Sequence, residues 1–307
     1  MSQIHFAGRR HLGTLAALWT LVAPWSLALA STSIEEHRAA NPQGSVEINN
    51  VAGAIEIQGW DKPEVAVTGT IGKNVERVDV SSDKDRTSIH VVLRSQHFLG
   101  SGSEGEAHLL VHVPVNSSIS TSLISSDLKV SAVRGDLTLQ TVSGNVSGEA
   151  GGDVHANVVS GNVTFAAAGA KAIEVRAVSG DVVLTGGDAD TEVTTVSGNA
   201  KITLGTPVRA RFRSVSGNVT ASFAMGPDAQ IDGESVSGDV RLEFAKAPAA
   251  DFDIQTFSGD IENCFGPKAV ETRHGPGSRL TFKSGDSRAR VRVSTKSGDV
   301  RMCTKIS

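Results

Sequence analysis

The side chains best suited to chemistry by type and spacing form a column of Asn and Asp. Each member follows a Ser-Gly pair, and the column comprises Asn145, Asn162, Asp181, Asn199, Asn218, Asp239, Asp260 and Asp299. Regularly spaced carboxylate and amide oxygens could hold a row of Ca²⁺ ions. Calcium-binding β-rolls, however, use a shorter repeat with more Gly and Asp, and half of this column is uncharged Asn. We therefore interpret the column as turn residues and predict no metal and no cofactor.

Paired acids could instead hydrolyse a polysaccharide, as in some parallel β-helix enzymes. Asp239 and Asp260 are expected to stack on adjacent coils, and Asp251 and Asp253 to share an outward face. A glycosidase needs two carboxylates at a set separation across a cleft. These acids belong to repeated corners, and no basic cluster departs from the repeat. The sequence therefore favours a protein that is not an enzyme.

Three histidines could contribute to a zinc site. If Ile89–Leu93 pairs antiparallel with Leu109–Val113, His90 faces His112 on the outer surface, while His108 lies further along the strand. A zinc site needs at least a third ligand at close range, and the sequence offers none. We interpret all three as solvent-facing histidines.

The two cysteines, Cys264 and Cys303, each lie six residues after a repeated serine. If Ser258 to Ser297 forms two regular coils, the sulfurs are two rungs apart, at roughly 9–10 Å, which is too far to bond. If Val270–Ser287 is an excursion from one coil, the cysteines are neighbours. The loop-like His-Gly-Pro-Gly sequence in this segment favours the excursion, and export favours oxidation, so we predict a disulfide.

These residues are positioned by a repeat. Ser-Gly-Asn/Asp recurs at serine-to-serine steps of 17, 19, 18, 19, 21, 21 and 39 residues. Its glycines, which we predict to form a ladder of turns, are Gly144, Gly161, Gly180, Gly198, Gly217, Gly238, Gly259 and Gly298. A period of roughly 20 residues indicates units that bury their apolar faces by stacking on one another.

Each unit reads as two strands joined at the Ser-Gly-Asx corner. Apolar residues lie six and four positions before the serine and three and five after it, as in Ile173, Val175, Val182 and Leu184. Alternation with period two on both sides is typical of strands. The fold prediction is an all-β, parallel β-solenoid with coils of about 20 residues. N-terminal strands are expected to continue or cap the stack.

The residue before each serine is apolar in most repeats, and the sequence leaves its direction open. The column comprises Val142, Val159, Val178, Val196, Val215, Val236 and Phe257. The residue two before each serine is small or hydroxylic and is expected to point inward. The column could therefore point outward as an apolar stripe for docking or dimerisation. We favour rotation into the core at the corner, because solvated runs this apolar are uncommon.

Four segments follow from the patterning. Residues 1–30, with Arg9-Arg10, an apolar core and Ala28-Leu29-Ala30, are predicted to be a signal peptide. Residues 31–44 form a polar leader, residues 45–118 an N-terminal β segment, and residues 119–307 the repetitive solenoid with a C-terminal cap. A Gly- and Ser-rich loop, Ser95–Glu106, interrupts the N-terminal segment and is the expected specialised contact.

Charge and composition limit the partners. Removal of residues 1–30 takes away two arginines and no acid, which leaves 27 basic residues against 33 acidic ones. This balance argues against nucleic acid as a partner, and no membrane span is expected after cleavage. The remaining chain has no Tyr and a single Trp, Trp60, so an aromatic-lined glycan groove is not expected.

The segment from Val51 to Trp60, with the pattern Val-x-Gly-x-Ile-x-Ile-x-Gly-Trp, precedes the Val-Ser-Gly-Asp/Asn-Val repeats. Together they resemble the putative-adhesin family of exported bacterial β-strand-repeat proteins, over nearly the whole chain after residue 30. The resemblance implies a bacterial envelope protein and carries no catalytic residues.

The sequence therefore predicts an exported, non-catalytic scaffold in the periplasm or at the cell surface. It would bind another protein or an envelope component, in the manner of an adhesin. The alternatives are a periplasmic sensor or partner in envelope-stress signalling and, less favoured, a polysaccharide-active enzyme.

Overall fold

A computed structural model describes residues 32–94, 105–271, 277–286 and 288–305. Pairs of strands joined at tight corners make up most of these residues. The predicted signal peptide lies outside these residues. The N-terminal strands are β1 (Thr32–Ala39), β2 (Ser45–Trp60), β3 (Glu64–Ile71), β4 (Val75–Asp83), β5 (Arg86–Leu93) and β6 (Ala107–Pro114). The all-β solenoid prediction is confirmed, and the predicted polar leader contains β1, which pairs antiparallel with β3.

The repeats give one strand before and one strand after each Gly-Asx corner. From Ser118 onward the strands are β7 (Ser118–Val133), β8 (Leu137–Ser143), β9 (Val146–Ala150), β10 (Val154–Ser160), β11 (Val163–Ala167), β12 (Ala172–Ser179), β13 (Val182–Gly186), β14 (Asp190–Ser197), β15 (Ala200–Thr203), β16 (Arg209–Ser216), β17 (Val219–Phe223), β18 (Gln230–Ser237), β19 (Val240–Phe244), β20 (Ala250–Ser258), β21 (Ile261–Asn263), β22 (Val270–Glu271), β23 (Ser278–Ser284), β24 (Arg290–Ser297) and β25 (Val300–Thr304). Of these, β22 and β23 belong to the C-terminal cap and not to a repeat. The described residues contain no helix that is long and apolar enough to cross a bilayer.

The core lies between two faces of parallel strands. The first face contains the strands that end at the repeated serines, and the second face contains those that follow the corner. The long strands β2 and β7 bend through a corner and contribute to both faces. Ile173, Val175, Val182 and Leu184 are buried, as the alternation predicts. Their side chains meet across the interior, so apolar burial between the faces stabilises every rung.

The stack does not follow chain order at its two ends. On the first face the parallel order is β5, β2, β7, β8, β10, β12, β14, β16, β18, β24, β20. On the second face it is β6, β2, β7, β9, β11, β13, β15, β17, β19, β25, β21. The last coil of the chain, β24–β25, therefore lies between β18–β19 and β20–β21. At the other end, β2 lies between β5–β6 and β7.

Antiparallel strands cover both ends of the stack. At the N-terminal end β4 pairs with β5, and β3 pairs with β6. At the C-terminal end β23 pairs with β20, and β22 pairs with β23. A cluster of phenylalanines fills the interior there, with Phe252 stacked on Phe282 at 4.5 Å between ring centroids and Phe244 edge-on to Phe265 at 5.6 Å. Because open sheet edges invite pairing with other chains, these caps protect the stack.

The charges of the neighbouring strands suit the position of the inserted coil. Asp232 of β18 and Asp253 of β20 both pair in register with Arg292 of β24, and Arg290 lies beside Asp251. If the coils followed chain order, Asp232 would lie directly beside Asp253. Like charges opposite each other on adjacent strands are destabilising, whereas opposite charges stabilise the pairing. The basic strand β24 therefore fits between two acidic strands.

Reversing both charges of this strand should weaken the stack. We expect the Arg290→Glu, Arg292→Glu variant to lose roughly 1–2 kcal/mol of unfolding free energy, because exposed charge pairs contribute modestly. Urea denaturation followed by far-UV circular dichroism measures the loss. Adding Asp232→Lys and Asp253→Lys should restore most of it. If the reversed strand is as stable as the original, charge does not set the order of the coils.

Candidate interaction surface

The Ser-Gly-Asx corners stack into one continuous edge of the solenoid. Each repeat glycine has a φ between +124° and +144°. A Cβ atom there would lie 2.0–2.3 Å from a backbone carbonyl oxygen of the adjacent rung. Both the positive φ and the close approach exclude other residues, so the glycines form the turn ladder that the sequence indicates.

A second ladder of hydrogen bonds runs beside the glycines. The side-chain Oδ1 of each Asn or Asp accepts a hydrogen bond from the backbone N–H of the Asx on the next rung, at 2.7–3.1 Å. In stacking order the residues are Asp127, Asn145, Asn162, Asp181, Asn199, Asn218, Asp239, Asp299 and Asp260. These side chains satisfy corner N–H groups that have no partner within their own coil.

The acids considered for catalysis do not form the expected pair. Asp239 and Asp260 are not stacked neighbours, because Asp299 of the inserted coil lies between them. Asp253 forms an ion pair with Arg279 at 3.1 Å. The expectation of adjacent Asp239 and Asp260 carboxylates is therefore wrong, since it assumed that the coils stack in chain order.

The strands carrying the histidines do not pair with each other. β5 pairs with β4 and β2, and β6 pairs with β3 and β2, so His90 and His112 lie on different faces. The His112 ring stacks on Trp60 at 4.8 Å, and the Lys62 ammonium lies 4.4 Å from the centre of the Trp60 ring. Two protein groups thus already contact the indole ring. The His108 Nε2 atom lies 3.4 Å from a carboxylate oxygen of Glu106.

Cys264 and Cys303 form a disulfide with their Cα atoms 4.9 Å apart. They lie on adjacent rungs, as the excursion alternative predicts, and that excursion carries β22 and β23 of the cap. The coil order was not foreseen, because the bond joins the inserted coil to the terminal rung. Arg301 lies beside the bond, with Nε 3.4 Å from the Cys303 sulfur and 3.3 Å from a Glu262 oxygen.

The residues before the serines are exposed, and the expectation that they are buried is wrong. We define the apolar ridge as Ile124, Val142, Val159, Val178, Val196, Val215 and Val236, all between 42% and 50% exposed. The residue two positions before the serine is buried, for example Thr195 and Ser235. Because the turn begins after the serine, strand alternation still holds one residue before it and points these side chains outward. The outward direction of these side chains could have been predicted from the phase of the strand alternation.

The ridge borders a first face whose outward charges alternate from strand to strand. Arg213 of β16 forms ion pairs with Glu192 of β14 and with Glu234 of β18, at 2.9 Å and 3.4 Å. Arg211 of β16 pairs with Asp232 of β18. The charges of this face therefore largely neutralise one another within the sheet. The predicted specialised loop, Ser95–Glu106, lies outside the described residues over 95–104.

The chain is similar, at low sequence identity, to several solved structures. One is a putative lipid binding protein from Parabacteroides distasonis, with 12% identity, a TM-score of 0.47 and coverage of 88% of this chain and 96% of that one. Another is a putative adhesin from Bacteroides fragilis, with 10% identity, a TM-score of 0.44 and coverage of 89% and 98%. No curated protein matches the chain significantly.

The family match covers most of the sequence. The model of the Toastrack DUF4097 family aligns with residues 43–302, which span the N-terminal β segment and the repeats. This match confirms the resemblance carried by the Val-Ser-Gly-Asp/Asn-Val repeats, and the chain belongs to the Toastrack DUF4097 family.

Proposed function

We propose that this chain is an exported, non-catalytic scaffold of the cell envelope or surface that binds a protein partner and acts in adhesion. The observation that carries the proposal is the apolar ridge, a row of half-exposed side chains along one edge of the stack. Its area is at the upper end for a soluble monomer, and contiguous apolar surfaces of this size often mark interaction sites.

Rigidity supports a binding role. The ridge side chains extend from strands that are paired in register from Ser125 to Ser237. The adjoining corners are fixed by the glycine and Asx ladders. A surface that is already ordered loses little conformational entropy on binding, so more of the contact energy appears as affinity.

The distribution of perturbed acids also supports binding over catalysis. Catalytic sites gather groups with displaced pKa values in one place. Here a hydrogen bond from Arg86 lowers the pKa of Glu47, and a hydrogen bond from Arg288 lowers the pKa of Asp228. The two carboxylates belong to different parts of the stack, on β2 and after β17, and each is engaged in an ion pair with an arginine.

Protease treatment of intact cells tests the proposed location. We expect added protease to remove the chain from intact cells, as detected by immunoblotting, while a periplasmic marker protein stays intact. Digestion only after the outer barrier is opened would contradict surface display and adhesion, and would restrict the scaffold to the periplasm.

A further inference from the structure

We infer that the partner of the apolar ridge is a second copy of this chain, bound through a two-fold symmetric contact. This inference rests on the proposed function, since it takes the ridge as the binding surface and adds the identity of the partner. Three properties support it, namely the spacing of the ridge, its area and the charges beside it.

The ridge repeats at the spacing of β-strands. Its side chains come from strands that pair in register, so they are separated by ~4.8 Å and the seven residues extend over roughly 29 Å. A partner that seats its own side chains between all of these must repeat at the same spacing. A second copy of the same ridge has this spacing.

The exposed area suits a dimer contact. The ridge and Phe257 together present on the order of 500 Å² of apolar surface, at the upper end for a soluble monomer. A stable contact buries about 800 Å² on each partner. The repeated serines on one side of the ridge and the row two residues before it on the other can supply the difference. Four members of this row are neutral, namely Ser122, Gln140, Asn157 and Thr194, and three are charged, namely Arg176, Arg213 and Glu234.

Charges on the flank select one orientation. On the first face, the row two residues before the ridge contains Arg176 and Glu234, which are both exposed, and the half-buried Arg213. Within one copy, Arg213 pairs with Glu234 and Arg176 pairs with Glu174, so a second copy would share these charges rather than meet free ones.

A two-fold axis perpendicular to the ridge brings the same flank of both copies together and runs the copies in opposite directions. If the axis lies between Val196 and Val215, the rung of Arg176 lies opposite the rung of Glu234 of the second copy. Symmetry produces this favourable pair twice.

The same register matches the ridge residues. Counted outward from the axis, Val196 meets Val215, Val178 meets Val236, and Val142 meets Phe257 of the second copy. Lys296, which occupies the ridge position of β24, falls opposite Val159, where its aliphatic stem can pack while the ammonium reaches solvent. The opposite arrangement, with parallel ridges, would place the flank of one copy against the Asx edge of the other. It would bring Arg176 near Asp181 but Glu234 near Asp239, so its charges offset each other, whereas the two-fold arrangement above gains two favourable pairs.

Sedimentation velocity on the exported chain, purified from cells, tests the inference. We expect dimerisation with a Kd of roughly 1–10 µM. The Val196→Asp, Val215→Asp variant places four acids at the axis and should weaken dimerisation at least 100-fold. The matched control, Val183→Asp with Val208→Asp, changes two exposed valines away from the ridge and should leave the Kd within about threefold. Far-UV circular dichroism checks that each variant is folded.

Charge reversal tests the register independently of ridge hydrophobicity. Arg176→Glu and Glu234→Arg should each weaken dimerisation about tenfold or more, and the combined variant should recover most of the affinity. A chain that stays monomeric up to ~100 µM, a dimer unaffected by the ridge substitutions, or a failed recovery would overturn the inference. If the monomeric chain is still accessible on intact cells, the surface scaffold stands and only the second copy is excluded.

Discussion

The Gly217→Ala variant is expected to lose at least ~4 kcal/mol of unfolding free energy, which would leave the rungs around β16–β19 unfolded. Gly217 has a φ of +127°, and a Cβ there would lie 2.1 Å from the carbonyl oxygen of Gly198. Side-chain rotation cannot relieve this contact, because the position of the Cβ atom is set by the backbone of residue 217 and the atom it meets is a backbone oxygen. The adjacent rungs would have to separate, which breaks the Asx hydrogen bonds on both sides of the corner.

Two probes can locate the damage. Trp60 is the single Trp after residue 30 and reports on the N-terminal segment, whereas far-UV circular dichroism reports on the whole stack. Because each rung contacts only its neighbours, we expect the two urea transitions to separate in the Gly217→Ala variant. The control is Gly105→Ala, where a Cβ would meet no atom within 4 Å. Equal stability of the two variants would show that the corner tolerates a Cβ.

The regular part of this fold could be predicted from the sequence because its constraints are local. Within one repeat, Gly198 supplies the positive φ, Asn199 supplies the side-chain acceptor for the next corner, and Ile202 continues the buried alternation. Each property depends on residue type at a fixed distance from the serine. Because the unit is repeated, the same constraint can be recognised in the sequence at every corner.

The order of the terminal coils could not be read in this way. It depends on pairings between distant segments, such as Arg292 with Asp232 and Asp253, which are 60 and 39 residues away in the chain. A repeat pattern shows that coils stack but does not specify which coil is the neighbour of which. The charges on β18, β20 and β24 are compatible with the observed order, because a basic strand between two acidic strands keeps like charges off adjacent strands.

The ridge shows a different limit of prediction from the sequence. Burial of Val178 and its equivalents was expected from the general rarity of exposed apolar runs, whereas the period-two pattern pointed outward. The local geometry prevailed, because the inward positions on either side of the corner are already filled by residues such as Ala177 and Val182. Exposed apolar residues at the same position of successive repeats form a contiguous apolar surface, which is why the ridge carries the functional proposal.

Removal of the disulfide should destabilise the C-terminal cap more than the rest of the stack. The bond closes a separation of 39 residues, so chain entropy alone predicts a loss of roughly 3–4 kcal/mol for the Cys264→Ser, Cys303→Ser variant. The structure adds a local effect. β21 pairs in parallel only with β25, over three residues, and its continuation holds Phe265 against Phe244. Without the bond, β21 and Phe265 are held mainly by the pairing with β25 and by packing against the neighbouring phenylalanines.

Hydrogen exchange separates the local effect from the global one. In the double variant we expect exchange to accelerate most in β20–β23, while β8–β15 keep their protection. β24–β25 should be affected less, because β18–β19 still hold them from the other side. Reduction of the unaltered chain under native conditions is the control and should reproduce this pattern. A uniform loss of protection would instead mean that the bond stabilises the whole stack by restricting the unfolded state. In that case the pairing of the inserted coil would hold the folded cap in place even when the disulfide is absent.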